Sequence, residues 1–156
     1  MSIAKVKEHL EKLGFEDRLM EFEVSSATVA EAAKALDCME AEIAKTLSFM
    51  HEDGAILIVA AGDGKVDNAK FKAEFKMKAK MIPFELVEEM TGHAAGGVCP
   101  FGVNDNAKVY LDVSLKRFDI VYPAGGNSMS AVRLSIEELE KSSGYIRWVD
   151  VCKEIV

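Results

Sequence analysis

The stretch Ala44-Lys45-Thr46-Leu47-Ser48-Phe49-Met50-His51-Glu52-Asp53-Gly54-Ala55-Ile56-Leu57-Ile58-Val59-Ala60-Ala61 decides the fold. Thr46 to Phe49 and Ala55 to Ala61 are apolar and rich in β-formers, and the Asp-Gly step between them signals a tight hairpin. Met39 to Ala44 reads as a short helical stretch leading in, which puts Lys45 at the opening of a buried strand.

Toward the N-terminus, Ile3, Val6, Leu10 and Leu13 recur at helical spacing and stop at Gly14, the pattern of an amphipathic helix with a glycine stop. Alternation over Leu19 to Val24 predicts a strand. Thr28 with Glu31 is a capping box opening a helix through Ala32, Ala33 and Leu36. Toward the C-terminus, Asp67 can cap a helix bearing Phe71 and Phe75, followed by an extended tail over Met77 to Ile82. Pro83 opens another helix through Leu86 and Val87, and Gly92 ends it. Residues 92–102 hold too many glycines for a regular element and must be a loop. Strands are expected at Lys108 to Leu111 and Ile120 to Pro123, the latter turning at Gly125-Gly126-Asn127 into Ser128 to Leu134. Ser135 with Glu138 caps a helix ending near Gly144, and Ile146 to Val151 is expected as an edge strand. Strands joined by hairpins, with helices between them and no repeating βαβ unit, predict an α+β fold with a mixed sheet or partly closed barrel. No linker or internal repeat divides the chain, so residues 1–156 are read as one domain.

With 49% hydrophobic residues in 156, the chain can fill one core. Its apolar runs are too short for a membrane helix and no signal-peptide pattern opens it, so no membrane is expected as a partner. Cys38, Cys99 and Cys152 form no CxxC pair, which suits a reducing cytoplasm. The net charge is −7, yet six lysines stand between Lys65 and Lys80 against Asp67 and Glu74, a local +4. An acidic body excludes a general nucleic-acid coat protein and leaves DNA outside the expected partners, whereas a local basic footprint suits a grip on one end of a nucleic acid. The same lysines also fit a solvated helix face.

Chemistry can be sought at a few places. A lysine beginning an apolar strand either snorkels to solvent or is held as a point charge for a phosphate, a ribose or a developing oxyanion. The glycines of Gly96-Gly97-Val98-Cys99-Pro100 let a ligand approach main-chain N–H groups, while Pro100 stiffens the far side. The stretch reads equally as an irregular connection, and it is not a P-loop. Cys99 and His93 invite a thiol nucleophile and its base, against the alternative of a small cysteine packed beneath a loop. His9, His51 and His93 have no metal-ligand spacing, so no metal is expected.

Ala44-Lys45-Thr46-Leu47, then Gly92 through Gly102, then Val121-Tyr122-Pro123-Ala124-Gly125-Gly126-Asn127 resemble, in order and spacing, the three signatures of the YbaK/prolyl-tRNA synthetase-associated editing family. The resemblance implies an α+β fold with a curved, mostly antiparallel sheet wrapped by helices, and a site between the lysine strand and the glycine loop. It implies hydrolysis of the aminoacyl ester at the 3′ end of a mischarged tRNA, typically a proline tRNA carrying a smaller wrong amino acid, with no metal or organic cofactor. The resemblance also implies an aminoacyl-tRNA synthetase as an associate. On this basis Lys45 is expected as an electrostatic clamp, with Gly96 and Gly97 as oxyanion or ribose contacts. Val98, Cys99, Pro100, Phe101, Gly125, Gly126 and Ser128 are expected around the substrate, and Lys70, Lys72 and Lys76 along the tRNA backbone. Some branches carry a serine before the Gly-Gly pair and an aspartate after it; this chain has Ala124, and Ser130-Ala131-Val132 in the later region, so that branch's specificity is not carried over. The alternative is a non-catalytic module that holds an aminoacyl end or a nucleotide for a synthetase.

Overall fold

In the computed structural model, which describes residues 2–52 and 54–154, the decisive stretch forms an antiparallel hairpin of β2 (Ile43–His51) and β3 (Gly54–Ala61). His51 pairs with Gly54 across a two-residue turn and the register runs back to Ala44 opposite Ala61. Asp53, half of the turn signal, lies outside the described residues. Every residue of β3 is buried because strands flank both its edges and apolar layers cover both its faces. Ala55, Leu57, Val59 and Ala61 point into one core; Ile56 and Ile58 point into another.

The remaining elements assemble on this hairpin. The strands β4 (Ala107–Asp112), β5 (Ile120–Pro123), β7 (Leu134–Ser135) and β8 (Trp148–Val149) complete a six-stranded sheet in the order β7-β5-β2-β3-β4-β8. The sheet is mixed and curls into a half-barrel. The β5–β7 pairing is antiparallel like the hairpin, while β5–β2, β3–β4 and β4–β8 run parallel. A separate antiparallel ribbon joins β1 (Leu19–Glu21) to β6 (Ser130–Val132). The helices are α1 (Ser2–Glu11), α2 (Val29–Leu36), α3 (Asn68–Phe75), α4 (Val87–Thr91) and α5 (Ile136–Ser143). Val6 and Leu10 of α1, Val87 of α4 and Leu139 of α5 close the core on the Leu57 face. Phe71 and Phe75 of α3 pack on the Ile56 face, and Ala32 and Ala33 of α2 meet Ile43.

The local stop and start signals operate as the chemistry requires. Both Thr28 with Glu31 and Ser135 with Glu138 form reciprocal capping boxes, and Asp67 accepts from the backbone N–H groups of Ala69 and Lys70. Each such cap stabilises by about 1 kcal/mol. Gly92 and Gly144 end their helices in the left-handed region.

Several boundaries differ from the expectation. Glu40–Glu42 is a 3-10 turn, and Ile43 and Ala44 already pair with Tyr122 and Pro123 of β5, so Lys45 is the third residue of its strand instead of the first. The expected strand over Leu19 to Val24 stops at Glu21, although Phe22 still donates to the Met129 carbonyl at 2.8 Å. Ser128 to Leu134 divides into β6 and the start of β7 at Arg133, whose N–H turns to Arg18 O at 3.0 Å. The last strand is reduced to Trp148–Val149. No helix among the described residues is long and apolar enough to cross a membrane.

Candidate active site

Beyond Ala44, β2 leaves β5, and its free edge is taken up again only where Ser48 and Met50 bond to the extended tail: Ile82 N–H donates to Ser48 O at 3.1 Å and Met50 N–H to Lys80 O at 2.7 Å. Around the window between these two partners lies a cavity of about 360 Å³. Its wall is mostly small and apolar, with Ala32, Ile43, Ala44, Val87, Val98 and Ala131. Ser26, Thr46, Ser48, Tyr122 and Ser130 supply polar atoms. A few polar groups in an apolar hollow is the composition of a small-ligand site.

Strand alternation separates Lys45 from its neighbours. Ala44, Thr46 and Ser48 sit opposite Ala61, Val59 and Leu57, on the face that carries the glycine loop; Lys45 shares the α3 face with Leu47 and Phe49. Lys45 nevertheless lines the cavity, because the open edge of β2 connects the two faces there. Its Nζ donates to Gly64 O, and to Gly62 O at 3.4 Å. Burial pulls its pKa below the ordinary lysine value, with Lys65 acting in the same direction and Cys152 and Asp63 opposing. Held by two carbonyls, the ammonium is a positioned charge at the window and not a freely snorkelling one.

The glycine loop and the Gly-Gly turn meet directly. A Cβ at Gly97 would stand 2.5 Å from Asn127 Cα and 2.6 Å from its N, a backbone contact that only glycine allows. Gly96, at φ +91°, has Ala27 and Ser128 as its nearest neighbours, at 3.5 and 3.7 Å from the position of a Cβ. Of the expected contacts, Lys45, Gly96 and Val98 line the cavity. Gly97, Gly125, Gly126 and Ser128 stand behind that wall, where Ser128 O accepts from Ser26 Oγ at 3.2 Å. Cys99, Pro100 and Phe101 are buried, Cys99 and Phe101 completely, so they support the loop from beneath and do not reach a ligand.

Cys99 and His93 approach to 3.6 Å, but the geometry opposes a nucleophile–base pair. His93 Nε2 lies 2.6 Å from Phe101 O; a carbonyl can only accept, so that nitrogen carries the proton and cannot take one from the thiol. Burial pushes the Cys99 thiol up to about 12 and pulls His93 below its ordinary value. A thiolate nucleophile needs the opposite environment.

The expected backbone lysines disperse. Lys70 is tied to Asp150 at 3.2 Å and to Cys152 O at 2.9 Å. Lys76 is the left-handed C-cap of α3. Lys72 is exposed on the α3 side, where it lines a separate hollow with Lys78.

Thr46 and Tyr122 stand within the quoted signatures and Ser130 just after them, but none of the three, nor Ser26, was expected at the site. Thr46 Oγ1 is buried without a hydrogen-bond partner among the described residues, a state that costs about 1–3 kcal/mol. Its signal was present in the alternation of small or polar Ala44, Thr46 and Ser48 with Lys45, Leu47 and Phe49.

Fold and cavity together define an α+β domain whose small, largely apolar hollow is bordered by a fixed ammonium and a glycine loop. The chain belongs to the aminoacyl-tRNA editing domain family, whose model matches residues 23–142, a span containing the whole cavity wall. It is 49% identical over 155 residues to the uncharacterized protein YwhH of Bacillus subtilis (strain 168), with 99% of each chain covered. A solved candidate trans-editing enzyme for prolyl tRNA synthetase superposes with a TM-score of 0.87 at 32% identity, covering 98% of both chains. The proline–tRNA ligase of Kosmotoga olearia is 31% identical over 90 residues, 57% of this chain but 16% of the ligase.

Proposed function

We propose that this chain is a trans-acting deacylase that hydrolyses the ester of a mischarged tRNA, with a proline tRNA carrying a small wrong amino acid as substrate. The observation that carries the reading is the convergence of the Lys45 ammonium, the Gly96 backbone and the Thr46 hydroxyl, unpartnered among the described residues, on one cavity of about 360 Å³ in a chain of the editing family. The similarity to a solved candidate trans-editing enzyme and to a segment of a proline–tRNA ligase supports the choice of tRNA.

An ester is activated relative to an amide, so positioning and oxyanion stabilisation can suffice without a protein nucleophile. Lys45 fixes the ribose or phosphate of the terminal adenosine, and Gly96 backbone donates toward the carbonyl oxygen. Water adds to the carbonyl carbon, the acyl C–O bond breaks, and the departing ribose oxygen takes a proton, with the neighbouring 2′-hydroxyl as its relay. Thr46 Oγ1 is placed to hold the water or that hydroxyl. Ala32, Ile43, Val98 and Ala131 leave room for a short side chain and limit a longer one; a hydrophobic wall of this kind discriminates by about 1–3 kcal/mol per methylene.

The test is a panel of proline tRNAs charged with alanine, serine, cysteine or proline. Release of a small wrong amino acid above the buffer rate, with prolyl-tRNA spared, is the expected result. Binding of the charged tRNAs without release of any amino acid would instead favour a module that holds the aminoacyl end for a synthetase.

A further inference from the structure

The cavity is not isolated. Lys45 and Met81 line it and also line a second hollow, whose wall continues through Lys65 and Asn68 to Ala79. Asn68 and Ala79 in turn line a third hollow, bordered by Lys72 and Lys78. The three form one track from the window at the β2 edge along the α3 face. Lys65, Lys72 and Lys78 are exposed and make no side-chain ion pair among the described residues, unlike Lys70 beside them. At the cavity mouth Phe84 is 78% exposed and Met81 58%, with Pro83 starting the short turn that holds Phe84. An exposed aromatic at the head of a lysine-lined groove, on a chain of net charge −7, combines the two elements that grip single-stranded nucleic acid: a base platform and a phosphate track.

We propose that this groove binds a single-stranded RNA 3′ end, with the terminal base stacked on Phe84 and the phosphates of the preceding nucleotides along Lys65, Lys72 and Lys78. The proposal rests on the deacylase reading for the identity of the strand, since it delivers the terminal ribose to Lys45. It also replaces Lys70 and Lys76 as backbone contacts. A stacked base next to successive phosphate contacts suits an unpaired strand, which places the single-stranded end here and the acceptor stem beyond Lys78.

The experiment uses a labelled seven-nucleotide single-stranded RNA ending in CCA with a free 3′-hydroxyl. Its binding is titrated at several salt concentrations against wild type, the Lys65→Glu, Lys72→Glu, Lys78→Glu triple variant, and a control triple reversal at exposed Lys12, Lys108 and Lys141. Phe84→Ala and Phe84→Trp complete the set. For wild type the slope of log affinity against log salt is expected near −2, about 0.7 per phosphate contact. The groove triple should bring it close to zero, and the control should leave most of it. Phe84→Ala should weaken binding roughly tenfold without changing the slope, and Phe84→Trp should restore it. Absence of RNA binding by wild type at low salt, equal effects of the two triples, or an indifferent Phe84→Ala would each overturn the proposal. In parallel, hydrolysis of a short aminoacyl-adenosine ester reports the chemistry alone. Ester cleavage with no groove effect sinks the groove and leaves the deacylase standing; groove binding with no ester cleavage does the reverse.

Discussion

Lys45 carries a positive charge into a half-buried position, where two carbonyls of the 62–64 turn hold it and desolvation lowers its pKa. A lysine that only filled core space would leave a hole when shortened; one that supplies charge at a window should leave the fold intact. Lys45→Ala is therefore expected to lose at least tenfold in single-turnover hydrolysis while its melting temperature stays within a few degrees. The ammonium must be charged to act, so binding of a non-hydrolysable aminoacyl-adenosine analogue should fade as pH rises through the lowered Lys45 pKa. That point lies below where an ordinary lysine would titrate. Unfolding of Lys45→Ala, full retained activity, or binding flat across the alkaline range contradicts the role. Cys99 makes the complementary case. Its thiol is pushed to about 12 and His93 is turned to Phe101 O, so Cys99→Ala should keep its turnover and cost about 1 kcal/mol of stability through a lost buried sulfur. An acyl-enzyme trapped on Cys99 would reverse that reading.

At the scale of elements, the site depends on two loops held at backbone contact. Alanine at Gly97 would drive a methyl into the Asn127 main chain, which has no rotamer by which to yield. Gly97→Ala should part the glycine loop from the Gly-Gly turn, destabilise by about 1–3 kcal/mol, and lower kcat more than a Lys45-dependent binding step. Thermal melts with single-turnover rates check this; a wild-type melt and rate would mean that the two loops are not a unit. The helices here were legible because their signals are local: Thr28 with Glu31, Asp67, and Ser135 with Glu138 each cap within a single turn. The central hairpin was legible for the same reason. The parallel pairings β5–β2, β3–β4 and β4–β8 join segments distant in sequence, and no local pattern announces them. Short strands such as Trp148–Val149 end where their partners end, so their lengths are set by packing and not by their own residues.

Across the whole molecule, Lys45, Gly96 and Val98, expected at the site from the family resemblance, line the cavity; composition alone points to none of them. What stayed hidden was three-dimensional. Which face Lys45 takes follows from register, and the window that joins the faces exists only because β5 leaves β2 after Ala44. Cys99 and Phe101 share the glycine loop with Gly96, yet their side chains point down into the core. The +4 of the basic stretch was visible, but not that Asp150 neutralises Lys70 while Lys65, Lys72 and Lys78 remain along one groove. The central claim is that this chain is by itself a hydrolase of aminoacyl esters. Its most direct test is single-turnover release of alanine from alanyl-tRNA of the proline isoacceptor, with the purified chain in excess and no synthetase present. The account predicts a first-order loss of the ester well above the buffer rate that Lys45→Ala abolishes. A rate equal to buffer with the charged tRNA demonstrably bound would contradict it.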